Sequence, residues 1–175
     1  MKKRFALLTA ILMIAGVSFA LPATVGDWKS DPVQNYDNLT FTFIESTISD
    51  SVTLDISSFF GNSYWGFRNF PTDGYIKYTV AVNQSETPGW LINYIELSSD
   101  SGSTVATKYI EELDQTLTDY GTIDLGSNGY SSLTITDTFD GVVPSATNGF
   151  GTVVPEPGTL ALLGLGGVAL LRKRR

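Results

Sequence analysis

Neither cysteine nor histidine occurs among the 175 residues, and their absence removes whole classes of chemistry. There can be no disulfide framework, no thiol nucleophile, no Ser-His-Asp triad and no Cys/His zinc site. Basic residues are scarce as well. Of eleven Lys and Arg, seven crowd the two ends of the chain, which leaves Lys29, Arg68, Lys77 and Lys108 for everything between. Residues 21–153 therefore carry seventeen acids against four cations, a net charge of −13. Such a surface repels phosphate backbones, so nucleic acid is not an expected partner, and an anionic polysaccharide would need a bridging cation. Long apolar runs are also missing, except for one at each terminus.

The first of these runs has the form of an export signal. Met1-Lys2-Lys3-Arg4 is a positive start, Phe5 to Val17 is almost unbroken apolar sequence, and Ser18-Phe19-Ala20 supplies small residues where a signal peptidase reads. The pattern predicts a signal helix over residues 1–20 with cleavage after Ala20. Leu21-Pro22-Ala23 is a poorer second site, because Pro22 lies between the small positions.

The second run is preceded by Pro155-Glu156-Pro157 and followed by Arg172-Lys173-Arg174-Arg175. Four cations at the end of an apolar segment hold that end at the cytoplasmic surface, so the preceding chain lies outside. Leu160 to Leu171 is predicted as a short transmembrane helix. Twelve helical residues rise about 18 Å against a hydrocarbon core of about 30 Å, which suits a temporary anchor. The prolines keep the tripeptide extended, as a protease requires.

This tail resembles the PEP-CTERM sorting signal of exported proteins in Gram-negative bacteria that make exopolysaccharide. The residues carrying the resemblance are Val154 to Thr159, the Leu/Gly/Ala run through Leu171, and the basic end. The resemblance implies recognition of the tripeptide by an exosortase-type membrane protease. It also implies an inner-membrane-anchored precursor, then delivery to the cell envelope or extracellular matrix.

Between the two address segments the dominant period is two. Leu39–Ile44, Val52–Ile56, Tyr75–Val82 and Ser132–Thr136 alternate apolar with polar or small residues and are rich in β-branched and aromatic types. Further strands fit at Trp65–Phe67, Trp90–Leu97 and Thr104–Tyr109. Turn chemistry separates them, as at Glu86-Thr87-Pro88-Gly89 and Gly126-Ser127-Asn128-Gly129. The pattern predicts one all-β domain over residues 21–147, an antiparallel β-sandwich of jelly-roll-like or immunoglobulin-like form. Ile110, Leu113 and Leu117 recur at helical spacing, consistent with either a helical turn or a strand end. Asn148-Gly149-Phe150-Gly151-Thr152 has the glycine content of a tether, so residues 148–154 are predicted as a flexible linker. In Trp90–Leu97, the alternation that carries most apolar area puts Trp90, Ile92 and Tyr94 inward.

Three sets of residues bear on chemistry. Asp124, Asn128, Asp137, Asp140 and Gly141 offer oxygen ligands for calcium, but twelve positions from Asp124 end on Ile135 where an EF-hand needs Glu. Paired carboxylates are uninformative in a chain with so many acids. Tyr64, Trp65, Phe67, Phe70, Tyr75, Tyr78, Trp90 and Tyr94 could form a flat face for sugar rings or simply fill the core. The expectation is a domain with no catalytic, cofactor or metal site. The same reading expects an exported, non-enzymatic protein with a structural or adhesive role associated with exopolysaccharide. The alternative is a carbohydrate-binding module that uses an aromatic face.

Overall fold

The computed structural model describes residues 21–59, 62–68, 73–99, 105–141 and 145–154. The predicted signal helix and transmembrane helix lie outside them. Among the described residues no helix is long and apolar enough to cross a membrane.

The described residues open with a six-residue helix, α1 (Val25–Ser30), and continue through eleven strands. These are β1 (Val33–Tyr36), β2 (Leu39–Ser46), β3 (Thr53–Phe59), β4 (Asn62–Arg68), β5 (Gly74–Val82) and β6 (Leu91–Ser99). They continue with β7 (Val105–Ile110), β8 (Gln115–Thr118), β9 (Tyr120–Asp124), β10 (Ser132–Asp140) and β11 (Ser145–Val153). One sheet has six strands in the order β1-β2-β5-β10-β7-β8, and the other has five in the order β3-β4-β11-β6-β9. Every paired strand is antiparallel. The expected all-β sandwich is what forms, because each predicted alternation supplies one apolar face to a shared interior.

The clearest case is β5, where Ile76, Tyr78, Val80 and Val82 are buried and the residues between them are not. Leu39 and Phe41 of β2 and Leu133, Ile135 and Phe139 of β10 extend that layer. The five-stranded sheet answers with Trp65, Phe67, Ile92, Ile95, Leu97 and Phe150. Phe41 stacks on Trp65 at 4.2 Å between ring centroids, across the two sheets.

Helix α1 closes one end of the interior. Thr24 and Asp27 form a reciprocal capping box, the side chain of each accepting the backbone N–H of the other. The cap directs Trp28 inward, where it meets Phe43 at 5.7 Å, Trp65 at 4.9 Å and Tyr78 at 5.5 Å. Its indole N–H donates to Pro32 O at 3.2 Å.

Three sequence expectations need correction or resolution. Residues 148–154 are not a tether: they form most of β11, which is hydrogen-bonded on both sides, to β4 and β6, with Asn148 and Phe150 buried. The glycines there sit under neighbouring side chains rather than loosening the chain. In β6, Ile92 does face inward, but Tyr94 faces outward while Ile95 and Leu97 are buried, and Trp90 precedes the strand half-buried. The cause is a bulge: Gly151 pairs with Tyr94 and Thr152 with Ile92, so Asn93 is the extra residue and the alternation changes phase. At residues 110–117, β7 ends, a 3-10 turn spans Glu111–Leu113, and β8 follows after Asp114 adopts φ 50°.

Candidate functional site

Ala20, the tripeptide Pro155, Glu156 and Pro157, and the cations Arg172, Lys173, Arg174 and Arg175 lie outside the described residues. What the structure does show is the point from which the tail departs. β11 ends at Val153, and exposed Val154 leads directly to Pro155.

The calcium candidates are not gathered into one loop. Asp137 is fully buried between the sheets. Asp124 ends β9 at the surface, where it accepts the Gly126 N–H at 2.8 Å. Gly141 N–H donates to Asp73 at 2.6 Å. Among the described residues no group of three or more acids could hold a metal ion. The aromatic candidates also divide. Trp65, Phe67 and Tyr78 are in the core, and Trp90 packs against its edge. Tyr64 and Tyr94 stand on the outer face of the five-stranded sheet, Tyr75 is half-buried on β5, and Phe70 is outside the described residues.

That outer face has an unusual floor. Strand register places Tyr64, Gly149, Glu96 and Thr122 side by side across β4, β11, β6 and β9. The next row is Asn62, Gly151, Tyr94 and Asp124, and on the other side lie Asp55, Gly66, Thr147 and Ser98. A Cβ on Gly149 would come within 3.0 Å of the Tyr64 ring and 3.1 Å of Glu96 Cβ, so those side chains lean across the glycine. Tyr94 donates its hydroxyl to Glu96 at 2.9 Å. Burial against the sheet and that carboxylate push its phenol up to about 12. Beside Tyr64 lies a cleft of about 250 Å³ over Gly66, bordered by Asp55, Ser57, Arg68, Ser145 and Thr147. It is open and polar, with Arg68 paired to Asp55 on its wall.

The second polar feature lies inside the sandwich and has no counterpart in the sequence expectations. Lys108, Tyr78, Asp137 and Asn148 are all fully buried. Lys108 Nζ donates to Asp137 Oδ1 at 2.9 Å and lies 3.3 Å from the Tyr78 hydroxyl. The Tyr78 hydroxyl and Asn148 Nδ2 both donate to Asp137 Oδ2, at 2.9 and 2.7 Å. Burial lowers the Lys108 pKa although Asp137 opposes that shift, and burial raises Tyr78 well above its ordinary range. Inward alternation marks Lys108 and Asp137 as core positions, because Ala106 and Ile110 flank one and Ile135 and Phe139 the other. Charged residues on the apolar phase of two strands are the sequence signal for this cluster.

Lys108 is one of four cations in the domain, and each is ion-paired: Lys29 with Asp50, Arg68 with Asp55, Lys77 with Glu111 and Lys108 with Asp137. The remaining acids dominate the surface field, which disfavours polyanionic partners.

No curated protein is significantly similar to the chain. Residues 153–175 match the family model of the PEP-CTERM protein-sorting motif. The motif marks export toward the cell envelope and processing by an exosortase membrane protease. The chain therefore carries a PEP-CTERM sorting signal over residues 153–175.

Proposed function

We propose that this protein is an exported, non-enzymatic component of the cell envelope or extracellular matrix, with a structural or adhesive role associated with exopolysaccharide. The observation that carries the reading is the junction at Val153, where the central strand of one sheet runs straight into the sorting motif. A domain joined to its sorting signal without a spacer is suited to being held, first by a membrane segment and later by whatever receives it. The sequence order of β4 to β11 supports a jelly-roll reading over an immunoglobulin-like one. Those strands lie 4-11-6-9 and 5-10-7-8 in the two sheets, with β3 and the β1-β2 hairpin added at the edges. The test is fractionation of an exosortase-bearing host that produces the wild type or a variant with Pro155, Glu156 and Pro157 changed to alanine. The wild type should be found with the polysaccharide fraction and the variant as a larger membrane-retained form. Equal size and equal release would count against sorting, and a wild type recovered wholly free of matrix would count against the structural role.

A second reading, carbohydrate binding, is favoured by the outer face of the five-stranded sheet. Tyr64 and Tyr94 flank a glycine floor with carboxylate, amide and hydroxyl groups beside them, which are the partners sugar hydroxyls need. The cleft of about 250 Å³ is below the range of enclosed ligand sites, about 300–1,000 Å³, so it fits the edge of one ring rather than a buried chain. Glycan-array binding that is lost in Tyr64→Ala while the melting temperature is kept would promote this reading. Binding unaffected by that change would remove the face from consideration.

A further inference from the structure

The buried cluster contains an amine, a carboxyl group and a carboxamide linked through one another inside an aromatic interior. Lys108 and Asp137 are direct cross-strand partners on β7 and β10 of the six-stranded sheet. Asn148 reaches them from β11 of the five-stranded sheet. The two oxygens of the single Asp137 carboxyl group thus bridge the Lys108 amine and the Asn148 amide. Lys108 Nζ also lies 5.3 Å from the Phe150 ring centroid and 5.8 Å from that of Tyr78. This is poor solvation for an ammonium, which has three protons to donate. One contact is short, the Tyr78 contact is long, and Asn148 Oδ1 has no hydrogen-bond partner among the described residues.

We propose that Lys108 and Asn148 become joined by an autocatalytic isopeptide bond between the two sheets, with Asp137 as the proton relay. Burial, which lowers the Lys108 pKa, supports the required neutral amine: the proton moves from Nζ to Asp137 and leaves an uncharged pair. A half-turn of the Asn148 carboxamide exchanges Nδ2 and Oδ1, and the protonated Asp137 then donates to Oδ1 and polarises the carbonyl. Lys108 Nζ attacks Asn148 Cγ, forming the new C–N bond as the carbonyl oxygen takes the proton from Asp137. The carboxylate recovers a proton from the attacking nitrogen and delivers it to Nδ2. The old C–N bond breaks, ammonia departs, the hydroxyl proton returns to Asp137, and a secondary amide remains. No oxidant, metal or cofactor enters the balance.

Asn148 rather than Asp137 is the electrophile, because Asp137 is the sole buried carboxyl group among the described residues and acylating it would consume the relay. In a chain without cysteine, the bond does what a disulfide between sheets would do. It fastens β11, the strand that runs into the sorting motif, to β7 of the opposite sheet. The chemistry stands on the cluster alone, whatever the role of the tail.

Protease digestion and mass spectrometry of the folded, purified full chain tests it directly. After trypsin and a second protease that cuts at Glu111 or Glu112, the expected product is a branched species that joins the peptide containing Lys108 to the peptide containing Asn148, lighter than their sum by one ammonia, with Lys108 uncut. Asp137→Ala and Lys108→Met should each abolish it, and under denaturing conditions both variants should migrate as the slower, unclosed chain. Because either variant could fail to fold, the wild-type digest is decisive. Two separate peptides at their unmodified masses from a protein with a cooperative melt would overturn the proposal. A branched peptide that has lost water and contains Asp137 would overturn the assignment of Asn148.

Discussion

Trp28 is the residue on which the helix-capped end of the sandwich depends, and replacing it by alanine should be among the most damaging single changes. Its side chain is fully buried among Phe43, Trp65 and Tyr78. An aromatic side chain of this class buries about 150–250 Å², which at about 25 cal/mol per Å² corresponds to about 4–6 kcal/mol of transfer free energy. Partial collapse of the cavity brings the expected cost to about 3–5 kcal/mol. Loss of the indole donor to Pro32 O adds a smaller term. For a domain of this size that is a fall in melting temperature of about 10–20 °C, read by circular dichroism. Trp90→Ala is the internal comparison: Trp90 is half-buried and precedes β6, so its loss should cost about 1–2 kcal/mol. If Trp28→Ala melts within a few degrees of wild type, or Trp90→Ala falls further than Trp28→Ala, then α1 does not seal the core and the reasoning fails.

Titration of Tyr94 should be visible as the phenolate step missing from Tyr94→Phe, centred at about 12 rather than at the ordinary 10.0. Because the folded pKa is raised, its contribution to stability is complete below pH 10 and declines as pH rises to about 12; a step near 10 would refute the Tyr94–Glu96 geometry. Thermal melts with a calcium chelator and with excess calcium should nearly coincide, since Asp137 is occupied by Lys108 and Asp124 by the Gly126 N–H. A large upward shift with calcium would reveal specific binding to the folded state. N-terminal sequencing of the exported protein should begin at Leu21, as the fold engages the chain from the next residue: Pro22 is buried and Ala23 O accepts the Leu54 N–H at 2.9 Å. A mature protein beginning at Thr24 would place cleavage at the second site instead.

Strands with clean alternation are legible because one face must be apolar and the other need not be. Tyr75–Val82 and Ser132–Thr136 meet that condition, and both are central strands. β8 and β9 escape notice for the opposite reason, since each is a short edge strand without a fully buried residue. Helix α1 is too brief for a helical period to appear, and only the Thr24-Val25-Gly26-Asp27 capping pattern announces it. β11 is hidden by its glycines. Read locally they suggest a tether, whereas Gly149 and Gly151 lie beneath Tyr64, Glu96 and Tyr94 from the adjacent strands. Pairing partners far away in sequence decide such a segment, and local composition does not contain them. The same limit applies to the buried cluster: Lys108 and Asp137 stand out singly on apolar phases, but their meeting with Asn148 requires the register of three strands.

That correction changes how the two ends of the protein relate. With a flexible linker, a pull on the tail would reach the fold from no fixed direction. With β11 as a central strand, a pull toward residue 153 runs along the strand axis. It loads the hydrogen bonds to β4 and β6 together instead of opening one ladder from its edge. The inner face of the same strand carries Phe150 against Phe41 and Asn148 against Asp137, so displacement of β11 also disturbs the opposite sheet. Lys108 and Asp137 are adjacent there, and leaving either without its partner in that interior is costly, about 3–5 kcal/mol when one member of such a pair is removed. The strand nearest the sorting motif is therefore held along both edges and across to the opposite sheet. That arrangement suits a domain whose C-terminus is its attachment point.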